Sequence, residues 1–155
     1  MTTRELVDLL EHAFDGDPWH GPSLMAVLRR VEPERAAMRP LAARHSIWEI
    51  LLHVTSWTRE VERRVREGQA GAPADGDWPE VRATDNAAWQ QALASLAEAH
   101  RNLVATVAAQ PDARWEEQVG DSRDPAAGTG VTYGVMVAGL ATHHAYHAGQ
   151  IALLA

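Results

Sequence analysis

THHAYHAGQIALL, residues 142–154, holds three of the chain's eight histidines within five positions. On an α-helix, residues four apart stand one above the other on the same face, with Cβ atoms about 5–6 Å apart. His143 and His147 therefore form a pair able to grip a metal ion between their imidazoles. His144 lies about 100° around the helix and points elsewhere. The face of the pair continues through Met136, Leu140, Ile151 and Leu154, so it is expected to look into a core. Imidazoles aimed into a core are unusual, and the rest of the chain can be read as their support.

Composition narrows the possibilities. At 155 residues the chain fits a single domain, 1–155, with no need of a disulfide staple. It has no cysteine, which removes thiolate metal sites and cysteine nucleophiles and favours a reducing compartment. No signal-like segment opens the chain, and no apolar run approaches the ~20 residues of a membrane span. A soluble cytoplasmic protein that does not engage membranes is expected. Net charge is -7 and every basic residue is arginine. The densest basic patches, Arg29–Arg30 and Arg59, Arg63, Arg64 and Arg66, are interleaved in the second case with Glu60, Glu62 and Glu67. That pattern reads as a solvated helix face, and nucleic-acid binding is not expected. Six tryptophans suggest large side chains filling irregular space or lining a pocket.

Working back along the chain, Thr132 caps the helix that carries the histidine pair. Thr2 with Glu5 forms a capping box for a first helix to about Ala13, whose buried stripe is Leu6, Leu9, Leu10 and Ala13. Ser23 caps a second helical piece to Val31, and residues 32–44, with Pro33 and Pro40, hold a short turn of helix. Ser46 caps a long helix to Glu67, stopped by Gly68. Thr84 or Asp85 opens another through Trp89, Leu93, Leu96, His100, Leu103 and Val107. Two long Gly- and Pro-rich connections, 68–85 and 111–131, complete the pattern. No strand alternation or internal repeat is present. The fold class is all-α: a four-helix bundle with a short extra helix and two long connecting loops.

A catalytic metal site of the zinc type takes three protein ligands and keeps one position open. His53, within HSIWEILLHVTSW (45–57), is the third candidate. It shares a side of its helix with Ile50, Trp57 and Glu60, at the edge of the stripe Ile47, Leu51, Val54 and Val61. Glu49, one turn earlier, is placed to hold its other ring nitrogen or to be solvated. The alternative reading keeps all three histidines as hydrogen-bonded core residues. His12 and His100 read as helix-surface or core-edge residues, His45 as a loop residue, and His20 as a candidate for the mouth of the site. There is no HExxH, so the glutamate base of a zinc protease is missing. Hydrolysis would rest on metal activation of water; binding a thiolate is an equally good use of an open position.

The segments DGDPWHGPSL (15–24), HSIWEILLHVTSW (45–57) and HHAYHAGQI (143–151) together resemble the DinB/YfiT-like superfamily of metalloenzymes, in order and over almost the whole chain. The resemblance implies an up-down-down-up four-helix bundle in which His53, His143 and His147 bind a divalent metal. Many relatives carry the histidine doublet immediately before xGQ, whereas here Tyr146 precedes His147, which makes His144 the alternative to His143. Gly149 would allow a close helix approach, and Gln150 lies on the site face. Relatives resemble thiol S-transferases using low-molecular-weight thiols, or hydrolases, and are often homodimers.

These readings converge on a metal-dependent enzyme acting on a small molecule. Its ion would be zinc, nickel or another first-row metal, activating a thiol or water. The rival is a non-catalytic bundle with a structural metal or none. A structural site would be closed by a fourth protein ligand, for which Glu49, Glu60 and His144 are the candidates. A third reading is a partner-binding module that uses exposed tryptophans such as Trp78 and Trp115.

Overall fold

A computed structural model describes all residues except 42, 43, 121, 123, 126 and 127. Among the described residues the chain is helical, with α1 (Thr3–Asp15), α2 (Leu24–Leu28), α3 (Pro33–Ala37), α4 (Ile47–Glu67), α5 (Asn86–Ala108), a 3-10 turn at Asp112–Glu116, and α6 (Tyr133–Leu154). The four longest helices start where the capping residues say they should. Thr2 and Ser46 each form a complete capping box, with Glu5 and Glu49 respectively. Asp85 and Thr132 accept from the amides of Ala88 and Val135. Each cap satisfies an amide that the first helical turn leaves open. Gly68 ends α4 in the left-handed region at φ 73°, with its N–H on the Arg64 carbonyl.

α4 packs on α5 and α6, and α1 packs on the same two helices. α2 ends at Leu28 rather than Val31 because the backbone turns there, with Arg30 N and Val31 N on the carbonyls of Val27 and Leu28. In α1, Leu9 is exposed and Phe14 takes its place in the core. α6 lies against the 3-10 turn at Gly134, where an added Cβ would stand 3.0 Å from the Trp115 carbonyl oxygen. Gly149, expected to serve close approach, has open space beside it. The expected loop over 111–131 contains the 3-10 turn, and its Gln118 forms an antiparallel bridge with Thr132. Its positions 121, 123, 126 and 127, and positions 42 and 43 of the 32–44 connection, lie outside the described residues.

The first long connection is organised by α4 itself. Arg64 Nη2 donates to the Gly71 carbonyl at 2.5 Å, Ser56 Oγ to that of Gly76 at 2.6 Å, and His53 Nδ1 to that of Asp77 at 2.6 Å. As the α4 numbers fall, the loop numbers rise, so the chain leaves the end of α4 and runs back along it. Two further ties, Arg59 to Asp75 and Trp57 Nε1 to Asp77 Oδ1, hold the same stretch. Side chains on one helix thereby satisfy loop carbonyls that no secondary structure would. The segment closes one side of the space beside His53.

Burial corrects the readings of Trp115, Glu60 and Arg64. Trp115 is fully buried, its Nε1 donating to Thr3 Oγ1, and Trp78 stacks face to face on His45 and His53. Trp115 is thus not a surface tryptophan, whereas Trp78 is exposed, as expected, with its ring stacked on the two histidines. Glu60 and Arg64, taken as part of a solvated face, are both buried and paired. Of the two readings of His100, helix surface or core edge, burial favours the second: it lies against Phe14 with ring centroids 3.7 Å apart.

Candidate metal centre

α4 and α6 bring His53, His143 and His147 together. The Nε2 atom of His143 lies 3.0 Å from Nε2 of both His53 and His147. One nitrogen from each of the three residues falls within 4.8 Å of the others. Three imidazole nitrogens around a tetrahedral zinc-type ion, at 2.0–2.1 Å each, are about 3.3 Å apart. The two separations from His143 are within a few tenths of an ångström of that value, so the triad has the dimensions of a three-histidine metal site.

Hydrogen bonds at the far side of the rings fix which nitrogen faces inward. His53 Nδ1 donates to the Asp77 carbonyl, with the Asp77 carboxylate 3.2 Å away. His147 Nδ1 donates to Gln150 Oε1 at 2.7 Å, and Gln150 Nε2 donates in turn to Tyr146 Oη. Both rings thus carry their proton on Nδ1 and turn an Nε2 lone pair inward, the arrangement that a divalent ion needs. Burial pushes all three below the ordinary histidine pKa. His143 falls to about 3, its neighbours His147 and His53 adding to the effect. His147 falls to about 4 despite the Gln150 bond, and His53 is lowered despite Asp77. All three are neutral near pH 7.

His144 belongs to a different layer. Its Nε2 donates to Thr58 Oγ1 at 3.2 Å, because the Thr58 proton is already given to the Val54 carbonyl. Glu49 is held by Ser46 and Arg39, and Glu60 by Arg63 and Arg64. None of the three candidates for a closing fourth ligand stands in the group of converging nitrogens. The expected Glu49–His53 bond is absent for the same reason: the capping box claims the carboxylate, and the Asp77 carbonyl takes its place.

Two clefts flank the triad. The larger, ≈750 Å³, opens on His53 and His143 and is walled by Trp57, Val61, Met136 and Leu140, with Arg64 and Gly71 further along. The smaller, ≈380 Å³, opens on His147 between Trp78, Tyr146 and Gln150. His20, expected near the mouth, lines a separate groove with Trp19 and α6 residues Ala138 and Ala141. Asp77 and Trp78 were not singled out as site residues from sequence. Their only signal is an acidic-aromatic pair inside a Gly- and Pro-rich connection.

Gln150 is expected to act through His147. Gln150→Leu removes the acceptor that sets the ring's orientation, and zinc affinity measured by competition with a chromophoric chelator is expected to fall about 10–100-fold.

His100, behind the triad, gives a separate pH effect. It faces Phe14 and His144, and its Nδ1 is buried without a partner among the described residues. Burial lowers its pKa from 6.5 to about 4, with Asp15 opposing weakly. The unfolded chain therefore takes up this proton first as pH falls. Stability is full above about pH 6.5 and is lost on the way to pH 4, by about 2 kcal/mol at pH 5. Urea midpoints at pH 7 and pH 5 are expected to differ less in His100→Leu than in the wild type.

Comparison with known proteins finds a family match and nothing finer. No curated protein and no solved structure is matched. Residues 19–151 match the DinB superfamily, and this span includes every member of the triad and both clefts' histidines. The chain belongs to the DinB superfamily.

Proposed function

We propose that the protein is a metal-dependent enzyme of thiol S-transferase type, a single four-helix-bundle domain with up-down-down-up topology whose His53, His143 and His147 hold one divalent ion. The observation that carries this reading is the convergence of three neutral Nε2 atoms beside a cleft, with no fourth protein ligand among the described residues. Zinc, nickel or another first-row ion fits such a donor set. When bound, the ion supplies Lewis acidity that lowers the pKa of a thiol or water at the open position.

The chain's own residues favour a thiol over water. Glu49 and Glu60 are engaged away from the triad. The Asp77 carboxylate accepts from Trp57 Nε1 at 2.6 Å and faces the outer nitrogen of His53. These three carboxylates are engaged elsewhere than on a water at the triad, and a thiol, with a pKa near 8.5, needs far less help than water to lose its proton. His53, His143 and His147 would hold the ion, and Trp57, Val61 and Leu140 give the cleft beside it an apolar wall for the reactants. The sulfur lone pair forms the new bond to an electrophilic carbon, the leaving group departs with its electron pair, and the thiol proton passes to solvent.

The test is consumption of monochlorobimane by the zinc-loaded protein, with and without low-molecular-weight thiols. Turnover that requires both thiol and metal, and that is lost in His53→Ala, is expected. Turnover of ester or amide substrates without thiol would favour a hydrolase, and neither activity would favour the structural-metal reading. A homodimer acting in the cytoplasm completes the proposal. Exposed Val135, Tyr146 and Leu153 on α6 support it, and sedimentation velocity tests it.

A further inference from the structure

The larger cleft has a second end that the triad does not use. On α4, Trp57, Val61 and Arg64 follow His53 at spacings of four, eight and eleven residues, which keeps them on one face. All four line the same cleft. Eleven residues of helix rise about 16 Å. The cleft runs along this face, with His53 and His143 at one end, Val61, Met136, Leu140 and Pro73 along its walls, and a guanidinium that reaches back along it to stand 5.6 Å from the Trp57 ring centroid.

That guanidinium is built in rather than draped over the surface. The Arg64 side chain is 1% exposed. Its Nε donates to Glu60 Oε1 at 2.7 Å and its Nη2 to the Gly71 carbonyl. Among the described residues Nη1 makes no hydrogen bond, and it lies toward Gly128, where an added Cβ would be 3.6 Å from it. Glu60 also accepts two bonds from Arg63, so one buried carboxylate serves two guanidiniums. Arg63 is also held by Glu67 at 3.1 Å. A fixed guanidinium with a donor nitrogen left over recognises a carboxylate. Two acids also line the cleft. Asp77 lies at the histidine end on Trp57, and Asp124 is exposed, where solvent screens it.

We propose that Arg64 is an anion subsite, and that the substrate or thiol taken by this cleft carries a carboxylate separated from its reactive atom by an apolar segment shorter than the helix rise, because Arg64 reaches back toward Trp57. As a subsite of the reactive centre it rests on the proposed metal-dependent function, although anion binding at Arg64 needs no metal.

Octanoate and octanol, which differ only in the charged end, test the subsite on metal-free protein. Isothermal titration is expected to show octanoate binding at least about tenfold more tightly than octanol, a typical gain for a charge-assisted hydrogen bond. The Arg64 Nε–Hε resonance is expected to move with octanoate and not with octanol. In Glu60→Met/Arg64→Met, which leaves no buried charge, the preference is expected to vanish. Equal or absent binding of the two probes to the wild type, or an Arg64 resonance unmoved at saturation, would overturn the subsite. Mercaptooctanoic acid on zinc-loaded protein then tests the other end. Tighter binding than octanoate supports the metal-thiol centre. No gain overturns that centre while the octanoate preference still stands for Arg64.

Discussion

Purified without a histidine tag and supplied with zinc, the wild-type protein is expected to hold about one metal per chain, and His147→Ala almost none. Three neutral imidazoles are a minimal set for a catalytic zinc-type ion, so losing one leaves two protein donors and an affinity lower by more than about 100-fold, beyond what an outer hydrogen-bond partner costs. Plasma mass spectrometry reads the content directly. His53→Ala and His143→Ala should behave like His147→Ala. His144→Ala should retain metal, because the His144 Nε2 is spent on Thr58 in a different layer. Metal retained in His143→Ala and lost in His144→Ala would reverse the assignment. Removing the ion from the wild type should also lower the thermal midpoint, since a ligand at 100 times its Kd stabilises by about 2.7 kcal/mol.

The sequence made the triad legible because its information is periodic. A spacing of four on α6 puts His143 and His147 in one stack, and the Ser46 capping box sets where α4 begins, hence which face His53 is on. Hydrophobic periodicity failed where function and chain path depart from it. Arg64 sits among charged residues and looks solvated, yet the 69–77 segment folds back over it. The return of that segment is specified by single hydrogen bonds from His53, Ser56, Trp57 and Arg64, and no repeat announces them. Asp77 and Trp78 were obscure for the same reason. Leu9 failed differently: α1 has more apolar positions than its packed face needs, and Phe14 takes the place by lying over His100.

Glu60→Met is expected to be the most destabilising single change on α4, costing about 3–5 kcal/mol in urea unfolding. Its side chain and that of Arg64 are each 1% exposed. Removing the carboxylate strands a charged guanidinium with only the Gly71 carbonyl as acceptor among the described residues. Arg64→Met should cost less, because Glu60 keeps both bonds from Arg63, whose side chain is 28% exposed and partly solvated. The double variant leaves no buried charge unpaired, and its stability is expected to return toward that of the wild type, since well-packed apolar replacements for a buried pair are often neutral. A double-mutant cycle should then give a coupling of about 2 kcal/mol or more. Additive single losses would mean that the pair does not act as a unit. If stability returns while the octanoate preference is lost, the pair is kept for the ligand rather than for the fold. A buried arginine that the fold can do without, at the end of a cleft that begins with His53 and His143, is then explained by what the cleft binds.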